Sequence, residues 1–164
     1  MRRLRHHDRP RASSTSSVAP AVALAALLLV SACTQRLVAQ DQGQDQAAIR
    51  ELIAEHYVKA VFVSREEAAV RRAFHPSFHL FVLDDGEIII APLQMWLDRL
   101  KLDGVPSSSA VRHDVGFVDV SGDAAAVRTE LYVNGQHVYT DYFSLYRFPT
   151  AGWQIVTKIF QSHD

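Results

Sequence analysis

The stretch His137–Phe160, HVYTDYFSLYRFPTAGWQIVTKIF, carries the residues best suited to chemistry. Asp141 is an acid set among aromatic residues in the middle of a strand-like run, and Lys158 lies on the run that follows. A carboxylate drawn partly out of water tends upward in pKa, which suits it to take or give a proton; Asp141 is therefore the candidate general acid or base. The same burial also favours a structural role, an ion pair between Asp141 and Lys158 on adjacent strands. His56 and Tyr57 are candidate partners and ligand contacts. Phe81, Tyr132, Phe143 and Lys158 join them as candidate contacts, with Trp96, Trp153 and Phe78 as core or pocket wall. His75 and His79 stand i, i+4, the spacing that binds a metal when both lie on one helix. Pro76 falls between them and puts them on different elements, and His113 belongs to another strand, so no metal site is expected. No Ser-His-Asp order, glycine-rich phosphate loop or dinucleotide fingerprint is present, and no cofactor is expected.

Successive side chains of a strand point to opposite faces. One face of the first run carries His137, Tyr139, Asp141, Phe143 and Leu145; the other carries Val138, Thr140, Tyr142, Ser144 and Tyr146. Both are bulky, so alternation alone does not choose the inward face.

The elements that must position these residues follow from periodicity and turn chemistry. Asp45 suits a helix N-cap. Ile49, Leu52, Ile53, Tyr57, Ala60 and Val61 then make an amphipathic helical face. Ser64-Arg65-Glu66-Glu67 has the S-x-x-E form of a capping box and predicts a second helix, ended by Pro76. Ser77–Leu83 and Glu87–Ala91 read as a hairpin about Asp85-Gly86. Pro92 suits the first position of a third helix, with Leu93, Trp96, Leu97 and Leu100 as its stripe. Residues 103–109 form a loop. Val111–Val120, Ala124–Val133 and the two runs of the opening stretch are four more strands, with Asn134-Gly135 as a tight turn. Helices first and strands later predict an α+β layer fold, an antiparallel sheet with about three N-terminal helices on one face.

The N-terminus is of another kind. Five arginines and one acid occupy the first eleven residues, and Ala21–Val30 is an unbroken apolar run of ten. A membrane span needs about 20 apolar residues, so this run is the apolar core of a signal peptide. Val30-Ser31-Ala32-Cys33 resembles the lipobox of bacterial lipoproteins, which implies lipidation at Cys33; ordinary signal-peptidase cleavage after Ala32 is the alternative. The expected organisation is a signal peptide over 1–33, a flexible tether over 34–46 rich in glutamine and aspartate, and a domain over 47–164. The expected location is the cell envelope, with a lipid anchor as the sole membrane attachment, or otherwise the periplasm or medium. Cleavage at Cys33 leaves 12 basic and 17 acidic residues. An acidic domain is poorly suited to nucleic acid. One cysteine excludes an internal disulfide and a multi-thiolate zinc site.

Together these residues resemble a known family. The pieces are Tyr57 late in the first helix; Arg72-Ala73-Phe74-His75-Pro76; Phe117-Val118-Asp119-Val120-Ser121-Gly122-Asp123-Ala124-Ala125; Asp141-Tyr142-Phe143-Ser144-Leu145; and Gly152-Trp153-Gln154-Ile155-Val156 with Lys158-Ile159-Phe160. In order and spacing, over about Ala47 to Gln161, they resemble the nuclear transport factor 2-like (NTF2-like, SnoaL-like) superfamily, and within it the putative lumazine-binding family. The turn Phe148–Gly152, with Pro149, is longer than that pattern. The resemblance implies a curved sheet wrapped into a cone around a pocket, a small-molecule ligand, and dimers through the sheet face. It says little about reaction, because this fold hosts isomerases, dehydratases, cyclases and hydrolases as well as domains without chemistry. The expected function is binding of a small, largely apolar or aromatic molecule. The alternatives are proton-transfer chemistry by Asp141 with His56 or Tyr57, and a protein-interaction or dimerisation module.

Overall fold

The computed structural model describes residues 41–163. The chain divides into two units, Met1–Ala39 and Gln40–Asp164, and all described residues belong to the second. The signal segment, Cys33 and the first part of the tether lie outside them.

The first helix, α1, is α-helical over 41–51 and continues as a π-helix over Leu52–Val63. Ile49, Ile53, Tyr57 and Val61, spaced by four, are all buried. The helix thus occupies 41–46 as well, where a flexible tether was expected. Asp45 is not its cap: the carboxylate accepts hydrogen bonds from Trp153 Nε1 at 3.0 Å and Arg147 Nη1 at 3.1 Å, tying the helix to the last two strands. Long-range partners of this kind cannot be read from local spacing.

The expected capping box does not form. Ser64 closes α1, its N–H bonding to Lys59 O at 2.8 Å. Arg65 adopts φ 56°, turning the chain, and donates to Asp103 Oδ1 and Lys101 O. Helix α2 is Glu67–Ala73, without a side-chain cap. It stops three residues before Pro76, which lies inside strand β1 (Phe74–Asp84). The pairing of β1 with the last strand is interrupted between Phe74 and His79, around the residue that has no N–H to give. Strand β2 (Glu87–Pro92) returns through Asp85-Gly86, whose φ angles of 46° and 84° suit a tight hairpin. Pro92 ends that strand, and helix α3 is Leu93–Leu100.

Strands β3 (Val111–Ser121), β4 (Ala124–Val133), β5 (Gln136–Phe148) and β6 (Gly152–Ser162) follow the expected meander. The six-stranded sheet has the order β2-β1-β6-β5-β4-β3. It is mixed and not wholly antiparallel, because β1 runs parallel to β6. A parallel neighbour requires a long crossover, here the whole of β2, α3 and β3–β5. Register shifts interrupt the β3/β4, β4/β5 and β5/β6 pairings; such bulges bend strands and curl the sheet. The helices cover the concave face. Tyr57, Phe74, Phe78 and Trp96 form a cluster of tilted and edge-to-face rings there, with centroids 4.7–6.5 Å apart.

Candidate functional site

Curling leaves a cavity of about 350 Å³ between α1, α3 and strands β1, β5 and β6. Its walls are apolar and aromatic: Val61 and Phe62 from α1, Leu80 and Val82 from β1, Trp96 and Leu100 from α3, Tyr139 from β5 and Phe160 from β6. Tyr57, Lys158 and Arg99 line it as well. Arg99 is exposed and makes no ion pair among the described residues. An apolar pocket with a few placed polar groups is the usual form of a small-molecule site.

The burial of β5 chooses the face that alternation left open. Asp141, Phe143 and Leu145 are buried, while Tyr142, Ser144 and Tyr146 are exposed. Asp141 is 0% exposed and lies behind the cavity wall. Tyr57 Oη donates to its Oδ2 at 2.6 Å, Lys158 Nζ donates to Tyr57 Oη at 2.6 Å, and Nζ stands 2.8 Å from Oδ1. The Nζ–Oδ1 contact is an ion pair without good hydrogen-bond alignment, since Oδ1 has no aligned donor among the described residues. The three groups close a buried triangle that joins helix α1 to strands β5 and β6. Four rings surround the ammonium, with Nζ 4.8 Å from the centroid of Tyr57, 5.3 Å from Phe160, 5.7 Å from Phe143 and 5.8 Å from Trp96. Ring faces replace part of the water that burial removes. Nζ thus donates to Tyr57, stands in an ion pair with Asp141 and borders the cavity.

Burial, reinforced by the Asp141 charge, pushes the Tyr57 phenol well above its ordinary value of 10.0. Burial pushes Lys158 below its ordinary 10.5, with Asp141 opposing. These shifts fix the alkaline behaviour. The Tyr57 contribution is present below pH 10 and is lost as pH rises further, because the unfolded chain releases the phenolic proton first. The Lys158 shift acts the other way: the unfolded chain binds that proton more readily, so its cost shrinks as pH climbs toward 10.5. We expect urea unfolding of Tyr57→Phe to begin about 1–3 kcal/mol less stable, since a carboxylate oxygen and an ammonium each lose a partner. Stability of this variant then falls less above pH 10 than that of the native chain. An equally steep alkaline fall in both proteins would exclude Tyr57 as its source.

The candidate residues divide. Tyr57 and Lys158 line the cavity together, and Asp141 sits behind them. Phe143 is buried against Tyr57, ring centroids 5.1 Å apart. His56 is half-buried and does not line the cavity. Phe81 points to the opposite face of the sheet, in a groove of about 470 Å³ with Phe117, Tyr142 and Ile159. Tyr132 stacks on His137 at 4.8 Å, away from the cavity. His75 stacks on Phe148 at 4.5 Å, and His79 bonds back to Ser77 O. Phe62, Tyr139, Phe160, Arg99 and Leu100 were not foreseen as site residues. The signal that could have found two of them was the pairing of Tyr139 with Asp141, and of Phe160 with Lys158, two positions apart on one strand face.

The family described as putative lumazine-binding matches residues 44–161. The aldolase FrzH of Cladobotryum sp is 28% identical over 108 residues, which span 65% of this chain and 83% of that protein. An NTF2-like protein of unknown function from Shewanella baltica OS155 superposes with a TM-score of 0.63 at 25% identity, over 74% of this chain and 95% of that one. Another NTF2-like protein of unknown function, from Silicibacter pomeroyi DSS-3, gives 0.63 at 20% identity, over 74% and 98%. The expected α+β cone fold is thereby borne out, with its sheet mixed.

Proposed function

The chain belongs to the putative lumazine-binding family, with an NTF2-like fold, and from that premise we propose that it binds a small, largely apolar or aromatic molecule in the cone cavity. The observation that carries this reading is the cavity itself, about 350 Å³ and walled by Phe62, Trp96, Tyr139 and Phe160. That volume falls within the roughly 300–1,000 Å³ of ligand pockets. Rings suit a flat ligand. Lys158 and Arg99 at the wall suit one with acceptor oxygens or a negative charge. Native mass spectrometry of the purified protein tests it: a retained small mass, released on unfolding, is expected. No retained mass, together with no response of Trp96 fluorescence to lumazine or other flat heteroaromatic acids, defeats it. The same spectra report the homodimer we propose across the outer sheet face, where Phe117, Tyr142 and Ile159 are about half exposed.

A second reading, a proton-transfer enzyme, draws on the triangle of Tyr57, Asp141 and Lys158 and on the relative named as an aldolase. In it Tyr57 or Lys158 meets the substrate, and Asp141 accepts the Tyr57 hydrogen bond behind them. His56 lies outside the cavity lining and drops out as a candidate partner. Solvent exchange at an acidic carbon of the bound ligand, lost in Tyr57→Phe, is its test. We further propose export and lipid attachment at Cys33, supported by the apolar run Ala21–Val30 and the Val30-Ser31-Ala32-Cys33 site; membrane partition that persists in Cys33→Ser defeats the lipid anchor.

A further inference from the structure

A second group of chemistry-bearing residues lies apart from the cavity. Glu130 on β4, His137 on β5 and His163 just after β6 place one ligand atom each within 4.8 Å of one another. Strand register brings them together. Glu130 pairs with Thr140, a shift of register follows on β4, and His163 N–H bonds to Val138 O at 2.9 Å. The three ligand atoms surround a single atom, Thr140 Oγ1. Glu130 Oε2 lies 2.6 Å from it, His163 Nε2 2.9 Å and His137 Nε2 3.4 Å. His137 Nε2 also lies 2.6 Å from Glu130 Oε2.

We infer that Glu130, His137 and His163 form a binding site for a divalent transition-metal ion of the zinc class. Two imidazoles and one carboxylate are a common ligand set for such an ion, and they leave a fourth position open. The two histidine rings stack with centroids 3.9 Å apart. Glu130 accepts a hydrogen bond from Thr140 Oγ1 and pairs with the Arg128 guanidinium. The Tyr132 ring backs His137, and the Arg112 guanidinium covers Tyr132 at 3.7 Å. Thr140 and Arg128 supply the outer contacts that orient metal ligands. Metal bonds of about 2.1 Å in a tetrahedron set ligand atoms roughly 3.4 Å apart. The His137–Glu130 contact therefore opens by about 0.8 Å on loading, and the exposed His163 ring turns inward. The ion links β4, β5 and the residue after β6.

Zinc titration of the tag-free, full-length protein by calorimetry tests this, with Co²⁺ as a spectroscopic probe. The expected result is one ion bound at these residues and a higher Tm on loading. His163→Ala, at an exposed position, and Glu130→Gln each weaken that binding by roughly 100-fold or more. A His75→Ala/His79→Ala double variant binds as the native chain does. Failure of His163→Ala to lower affinity, equal loss in the His75/His79 variant, or no saturable binding at all overturns the site.

Discussion

Asp141→Ala lowers the stability of this domain by about 3–5 kcal/mol, the usual result of removing one partner from a buried ion pair. Lys158 is 6% exposed and would be left among aromatic rings without a counter-ion. Tyr57 Oη would lose its acceptor and, at 0% exposure, could not replace it with water. For a domain of this size the loss amounts to a Tm lower by roughly 10–20 °C. The test of mechanism is the double variant Asp141→Asn/Lys158→Met. Removing both charges together leaves no uncompensated ion, so its cost falls well below the sum of the two single costs. Urea unfolding of the native chain, both singles and the double measures that coupling. Simple additivity would show that the charges do not depend on each other, and the triangle would lose its structural role.

Val82→Trp and Leu100→Trp each abolish ligand retention, with affinity falling by roughly 100-fold, about 2.7 kcal/mol. Both residues line the cavity and are half-buried. A larger ring there enters empty volume of about 350 Å³, so the overpacking cost of a filled core does not apply in full. Tm therefore stays near the native value while the ligand is excluded, which separates loss of site from loss of fold. Trp96→Ala could not make that distinction, because removing a buried tryptophan costs about 3–5 kcal/mol by itself. Titration of the retained ligand, or of lumazine as the first probe, reads the effect. Undiminished affinity in both variants would move the ligand out of the cone, with the outer groove beside Phe81 and Phe117 as the next place to look.

The sequence alone determined what depends on neighbours in the chain. Asp85-Gly86 and Asn134-Gly135 announce their turns because few other pairs adopt two successive positive φ angles; those at the second turn are 52° and 82°. Strands β3–β6 were legible from alternation between turns, and the class of fold from the order of helices and strands. The same local rules misplaced the helix boundaries. Ser64–Glu67 has the composition of a cap, yet Arg65 turns the chain to reach Asp103, a partner that local spacing does not reveal. Asp141, Tyr57 and Lys158 could be singled out as types, and the Asp141–Lys158 pair could be suspected from adjacent strands.

Only the tertiary structure decided which face of β5 is inward, since both faces are bulky and the choice rests on what α1 and α3 press against. It also set β1 parallel to β6, placed Asp141 behind Tyr57 and Lys158, and sent Phe81 to the outside. Glu130, His137 and His163 are 7 and 26 residues apart in sequence, and no pattern of spacing links them. Strand register and the shift on β4 bring their ligand atoms together. Chemistry at a point requires convergence of side chains in space, whereas sequence periodicity reports only the direction each leaves its own strand or helix.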